Sequence, residues 1–484
     1  MKHAKLIFTV MTVLIIRPLF AQGYGGPLSF QGLERPVLHS AAGRAMGGVA
    51  IGTEDIGLMF QNPATLHAVR KIQLSAGGFH ATGDLKQEQH YAPVRYFSNL
   101  SLLLEGLTGS IPDPDPALPG FTAQDTVQRP YDDIGPNWSR TRNRTRPLQA
   151  MLAVPVSVRN IGIVAGIGAV QYADLDHYYQ NNNVLSPSIL SQRPLPTLRP
   201  TDDNPVEVAW WQSARSREGS IWGYGVALAG NAGKTLSLGF SGMILRGSSE
   251  DVEWQVARGR LTFFSNAFRA DSVYGRVTRT GTSDFSGTEF TLSGLLTGRY
   301  VRAGITVKLP TTLTRDSRIR IETDTSGTPF VSSLRGSERL KLPLRGTVGL
   351  SLSPRDNLTV GLEYEVRPYA SAEIVGSDGT VTSPWLSASL FRAGVEYRIV
   401  PWLALRGGMR GEAEVFEPEG NHIPGEPAGC TVYSAGFGLF FSGLRLDITY
   451  ENYSMNYQDI WATAVSKNSE RRHALIAQLS CEIP

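Results

Sequence analysis

Cysteine is almost missing from this chain of 484 residues: there are two, Cys430 and Cys481. Disulfides therefore cannot be the organising framework, although an exported chain has the means to pair these two. Beyond the N-terminus, no run approaches the roughly 20 apolar residues of a membrane-crossing helix. Blocks of one charge sign are also lacking. The 46 basic and 43 acidic residues leave a formal net charge of +3, and the bases are scattered singly, so no nucleic-acid partner is expected. His3, His39, His67, His80, His90, His177, His422 and His473 show no metal-ligand spacing. There is no Gly-x-Ser-x-Gly elbow and no phosphate-binding loop, and "PDPDP" at 112–116 lacks the spacing of a calcium loop. These gaps argue against an enzyme and against any cofactor or metal.

What is present begins with Lys2 and Lys5, an apolar run over 6–16 and a small residue at Ala21. This pattern predicts a secretory signal over residues 1–21, cleaved before Gln22. The run is too short for a membrane anchor, and no cysteine near the junction suggests a lipoprotein.

The dominant pattern is alternation. In "NLTVGLEYEVR", 357–367, Leu358, Val360, Leu362, Tyr364 and Val366 share one face, and Thr359, Gly361, Glu363, Glu365 and Arg367 share the other. A two-residue period is a strand with one oily and one polar side. The same pattern recurs at 391–400, 443–452 and 475–483. Soluble sandwiches and propellers also bury one face of each strand, but two features favour a membrane barrel. Candidate strands at 340–353, 357–369 and 386–400 exceed the usual 5 or 6 residues and are long enough to cross a bilayer on a tilt. Connections at 230–234, 353–357 and 399–402 are tight, whereas 106–146 and 180–206 are long and polar, the asymmetry of outer-membrane barrels. Trp385, Tyr397 and Trp402 suit interfacial girdles. Further strands are expected near 71–80, 91–107, 148–158, 161–173, 206–230, 235–246, 289–300 and 301–309, with 248–286 left open. The fold class is all-β, a transmembrane antiparallel barrel; 14 strands fit, and alternation alone also permits 12 or 16. Glu363, Glu365 and Glu396 are expected to pair across strands with Arg367, Arg392 and Arg398 rather than to act in catalysis.

The lead-in "SAAGRAMGGVAIGTEDIGLMFQNPATL", 40–66, resembles the N-terminal segment of the FadL-type outer-membrane proteins, transporters of long-chain fatty acids and hydrophobic compounds. The matching residues are Gly43, Arg44 and Ala45; Met46, Gly47 and Gly48; Glu54 and Asp55; and Asn62, Pro63 and Ala64. Stretches 340–366 and 397–409 resemble later hairpins of that family. The resemblance implies a 14-stranded barrel over 71–484 in the outer membrane, with residues 22–70 folded into the lumen as a hatch. It also implies a hydrophobic small molecule or lipid as ligand, released sideways into outer-membrane lipid, with Gly43, Arg44, Met46, Gly47, Gly48, Asn62, Pro63 and Ala64 as gating residues. PorV-type and PorQ-type barrels of type IX secretion share the signature and would take a secreted-protein partner; an adhesive surface barrel is the third reading. Proline fixes its own φ and biases its predecessor toward extended backbone, so Asn62 and Pro63 are expected to form the joint between hatch and wall.

Overall fold

The computed structural model describes residues 28–35, 37–90, 137–158, 161–186, 201–264, 268–271, 275–325, 327–418, 425–461 and 464–483. The expected signal, the strand expected at 91–107, and most of both long loops lie outside these residues. Among the described residues, fourteen strands close into one antiparallel ring. They are β1 (Ile72–His90), β2 (Trp138–Val158), β3 (Ile161–Asp174, continued by His177–Ser186), β4 (Val206–Ala232) and β5 (Leu236–Phe263). Then come β6 (Arg276–Thr297, preceded by Phe268–Asp271), β7 (Val301–Lys308 and Thr311–Asp324), β8 (Phe330–Leu342 and Arg345–Arg355) and β9 (Leu358–Val366, with Glu373–Val375 above it). The set ends with β10 (Val381–Thr382, then Leu390–Val400), β11 (Leu403–Ala413), β12 (Gly429–Phe441), β13 (Leu444–Trp461) and β14 (Ala464–Ile483). Closure is made by β1 against β14, from Ile72 opposite Ile483 to His90 opposite Val465.

The ring is inverted relative to a soluble sandwich. On β9, Val360, Leu362, Tyr364 and Val366 are exposed on the outside while Glu363 is buried on the inside. On β13 and β14, Tyr450, Leu475 and Leu479 face out and Asp447, Glu451 and Gln478 are buried. Apolar side chains outward and charges inward are stable only when hydrocarbon surrounds the ring. Among the described residues no helix is long and apolar enough to cross a membrane. A large apolar core lies in the lumen, where Phe30, Ile56, Met59, Phe60 and Leu66 pack on wall residues such as Met151, Val164, Met243 and Phe285.

Turns at one rim are tight, as the sequence suggests. Residues 233–235, 356–357, 401–402 and 442–443 join consecutive strands, with Gly233 (φ 90°) and Gly443 (φ 76°) supplying left-handed corners. At the other rim the strands run far past the membrane: β4 has 27 residues and β5 has 28, against the 9–11 or so needed to span. Residues 138–146, expected to be loop, are strand, and 248–263 continues β5. The strand expected over 340–353 is broken after Leu342, at Pro343 and Leu344. Its neighbour β7 breaks beside it at Leu309 and Pro310, because proline cannot donate to a ladder. Tyr397 and Trp402 are exposed as girdle residues should be, but Trp385 is not. It is buried against Tyr369, ring centroids 5.5 Å apart, in the luminal core.

A charge on the outer face tests the inversion. Replacing Leu362 by Arg is expected to cost about 2–4 kcal/mol, read as a lower urea midpoint in vesicles and loss of heat-modifiable gel mobility.

Candidate functional site

The N-terminal segment occupies the lumen and is built around one short helix, α1 (Ala41–Ala45). Ser40 caps it, accepting a hydrogen bond from the Gly43 amide at 2.8 Å and donating to Asp55. Asp55 in turn caps the 3-10 turn Ile56–Leu58 through the Gly57 amide, 3.0 Å away. The wall completes both: Gln478 accepts from the Ala41 amide at 2.8 Å and donates to Asp55 Oδ1 at 2.8 Å. A plug of this kind carries many backbone groups that its own short helices cannot satisfy, and luminal side chains satisfy them. Glu363 accepts from the Ala50 and Ile51 amides at 2.7 and 2.8 Å, Ser293 from the Ala64 amide at 2.8 Å, and Ser434 from the Gly47 amide at 3.1 Å.

Charge pairs tie the plug down as well. Arg44 pairs with Glu451, which also holds Arg410 at 2.6 Å. Arg35 bridges Glu414 at 2.8 Å and Glu470 at 2.7 Å. Of the expected cross-strand pairs, Glu363 and Glu365 both meet Arg392, and Glu396 meets Arg398 and Arg406. Arg367 instead donates to two backbone carbonyls, those of Ala388 and Glu34, each at 2.6 Å.

Gly43, Arg44, Met46, Gly47 and Gly48 form one cluster, seated on β10, β11 and β12. A Cβ on Gly394 would meet the Met46 carbonyl at 2.2 Å, and one on Gly408 would meet the Gly47 amide at 2.2 Å. Asn62, Pro63 and Ala64 sit against β5, where a Cβ on Gly239 would fall 2.2 Å from the Ala64 amide. The clusters are linked by Gln61, whose Nε2 donates to the Gly48 carbonyl at 2.9 Å. Asn62 and Pro63 are not the joint with the wall. They open the 3-10 turn Pro63–Ala68, and the chain enters β1 only after extended Val69. Cys430 and Cys481 are both free: Cys430 is at the start of β12 and Cys481 near the end of β14.

Above the plug is an open cleft, lined by plug residues including Glu34, Val37 and Leu38 and by wall residues including Phe79, Arg144, Leu148, Gln171, Asp174 and Arg472. It abuts an irregularity in the wall that sequence reasoning missed. Strand β2 pairs with β3 only from Val158 opposite Ile161 up to Gln149 opposite Val170. Above that level β2 pairs with β1 alone, and His177–Ser186 pairs with β4 alone, among the described residues. In place of ladder bonds the seam holds Arg144 and Arg146 from β2 against Asp174 and Asp176. The plug grips the same place: a Cβ on Gly32 would meet the Asp174 carbonyl at 2.3 Å. His39 Nε2 donates to the Gln171 carbonyl, 3.0 Å away. Burial pushes His39 down to about 4 and, aided by Glu414, pushes Glu34 up to about 7.

A charged lumen, an internal plug and an unzipped seam define the class: an outer-membrane-type barrel with the fold of the FadL-type channels. The solved structures that share this fold include a Pseudomonas aeruginosa FadL homologue, 13% identical, aligned over 93% of this chain and 98% of that one with a TM-score of 0.57. The P. putida toluene transporter TodX aligns over 92% and 99% at 13% identity and a TM-score of 0.55. The CymD monoaromatic hydrocarbon channel aligns over 94% and 99%, again at 13% identity, with a TM-score of 0.51. No family model matches the sequence, and no curated protein matches it.

Two outcomes follow for the plug. Gly408→Val is expected to unseat it while the barrel keeps its heat-modifiable mobility. A cysteine at Ala45, fully buried in the native lumen, should then react with an impermeant maleimide at least tenfold faster than in the Ala45→Cys parent. The pH dependence has two opposed limbs. His39, depressed when docked, contributes seating that is complete above about pH 6.5 and is lost as pH falls toward 4. Glu34, raised when docked, contributes seating that is complete below about pH 4.5 and is lost as pH rises through 7. Hydrogen exchange of residues 40–66 should therefore lose its acid limb in His39→Gln and its alkaline limb in Glu34→Gln.

Proposed function

We propose that this barrel carries hydrophobic compounds, long-chain fatty acids among them, across the outer-membrane surface and releases them sideways through the seam between β2 and β3. The observation that carries the reading is the placement of this cleft directly against that seam. A compound resting on Phe79, Leu148, Val37 and Leu38 has beside it the foot of the seam, at the upper edge of the oily outer band that includes Ile167, and a polar, plugged lumen beneath it. Each methylene that passes into hydrocarbon rather than water is favoured by about 0.8 kcal/mol, so a long chain gains several kcal/mol by leaving sideways. The plug then has two tasks. It keeps the lumen from leaking, and through His39 and Gly32 its movement is coupled to the backbone at the seam. In this reading Gly43, Arg44, Met46, Gly47, Gly48, Asn62, Pro63 and Ala64 belong to the part that yields when ligand passes. Export by the N-terminal signal belongs to the same proposal.

Sealing the seam tests the route. In a background lacking Cys430 and Cys481, cysteines at Arg146 and Asp174 can be joined by a cleavable bis-maleimide. Uptake of palmitate or toluene into cells is expected to fall at least tenfold on linking and to recover when the linker is cut. An undiminished rate in the linked protein would exclude lateral release.

A further inference from the structure

Buried hydrogen-bonding groups ordinarily find partners. At the foot of the seam, side chains from three elements depart from that rule together. Gln149 stands on β2 at the last rung of its ladder with β3, opposite Val170, and Gln171 is the next residue up on β3. His39, on the plug, donates through Nε2 to the Gln171 backbone carbonyl. Gln149, Gln171 and His39 are only 2%, 1% and 7% exposed. Yet Gln149 Oε1, both amide atoms of the Gln171 side chain and His39 Nδ1 have no hydrogen-bond partner among the described residues.

Gln171 owes its place to a local irregularity. By alternation it belongs with Ile167, which is exposed on the outer face. The register of β3 with β4 shifts between Gln171 and Ala173, and a bulge of this kind re-aims neighbouring side chains. Gln171 accordingly lines the cleft beside the seam, together with Leu148 and Leu38. Those leucines are the chain neighbours of Gln149 and His39, so the polar cluster adjoins the apolar lining of the cleft.

A carbonyl only accepts, so Nε2 carries the proton of His39. Burial holds the ring in its neutral form, which makes Nδ1 an acceptor. The cluster therefore offers three acceptors, His39 Nδ1, Gln149 Oε1 and Gln171 Oε1, and one donor, Gln171 Nε2. A hydroxyl group complements it, giving its proton to an acceptor and receiving one from the amide. A carboxylate brings no proton to these acceptors, and an ether can accept but not donate. Sites with buried polar groups discriminate against ligands that leave those groups unmet. We infer that Gln171, with Gln149 and His39, binds the hydroxyl of a neutral hydrophobic alcohol or phenol whose apolar body lies in the cleft on Leu38 and Leu148. The inference rests on the hydrophobic-transport reading and narrows its substrate class to compounds that carry a hydroxyl. Gln149 and Gln171 belong to the two edges of the seam and His39 to the plug, so an occupied site touches every element that the lateral route would move.

The test uses the full chain purified in a neutral maltoside, with 1-dodecanol and its isomer methyl undecyl ether as probes in equilibrium dialysis. The isomers have the same atoms, but only the alcohol has a proton to donate. The intact protein is expected to bind the alcohol at least about fivefold more tightly, the worth of one satisfied buried hydrogen bond. Gln171→Leu should abolish the difference, and Gln149→Met should narrow it. Because Gln171→Leu also removes an unpartnered buried amide, it should raise the urea midpoint of the ligand-free protein. Equal affinities for the isomers in the intact protein, an advantage that survives Gln171→Leu, or a lowered midpoint in that variant would overturn the hydroxyl assignment and leave transport of hydrophobic compounds standing. Binding of neither isomer by the intact protein would overturn the transport reading and this assignment with it.

Discussion

Backbone amides and carbonyls have no partner in hydrocarbon, and the rest of this structure depends on that constraint. It forces the first and last strands together, so that nineteen residues of β1 find partners on β14. It forces polar side chains inward, because each strand has only two faces and one of them must be oily. It also makes the seam between β2 and β3 exceptional. There the ladder stops at Gln149 and Val170, and Arg144, Arg146, Asp174 and Asp176 fill the place of the missing backbone bonds. The seam side chains also hold the backbone of the next strand, β4: Arg146 donates to the Gly219 carbonyl at 3.0 Å, and Asp176 accepts from the Gly219 amide at 2.9 Å. Side-chain bonds can part and re-form more readily than a zipped ladder, which is why the proposed lateral route runs here.

Turning charges inward creates a second problem, a lumen of buried ions, and the plug resolves much of it. Glu451 is shared between Arg44 of the plug and Arg410 of the wall, and Glu470 and Glu414 are both held by Arg35. Buried ion pairs add little net stability over well-packed apolar groups, but losing one partner is strongly destabilising. The plug is therefore specified in one position more firmly than it is glued there.

How much of this was legible followed the membrane itself. Where lipid bathes the outer face, as along 357–367, hydrophobic alternation made the strand and its inward residues readable. Above the lipid both faces are polar. In "SRTRNRTR", 139–146, Ser, Thr and Asn alternate with Arg, and no oily face signals a strand. The arginine row on β2 was hidden for the same reason. Alternation of charge rather than of hydropathy was the available clue. Trp385 misled because an aromatic near a strand end resembles a girdle residue until packing shows it facing Tyr369 inside. The N-terminal signature located the plug, but Asn62 and Pro63 were misjudged as its joint. A Pro-initiated turn reads the same in sequence whether or not a strand follows at once.

The glycines at 239, 394 and 408 lie in strands whose own geometry does not ask for them; they are there because plug backbone lies against them. The ring in turn is not complete until the last strand meets the first. Since the plug runs directly into β1, it is tethered to one lip of the final join before that join is made. It can be laid in place while the cylinder is still an open sheet, and no folded segment ever has to be threaded into a finished tube. The barrel is in this sense moulded around its contents, and the glycine hollows are the impression left by them.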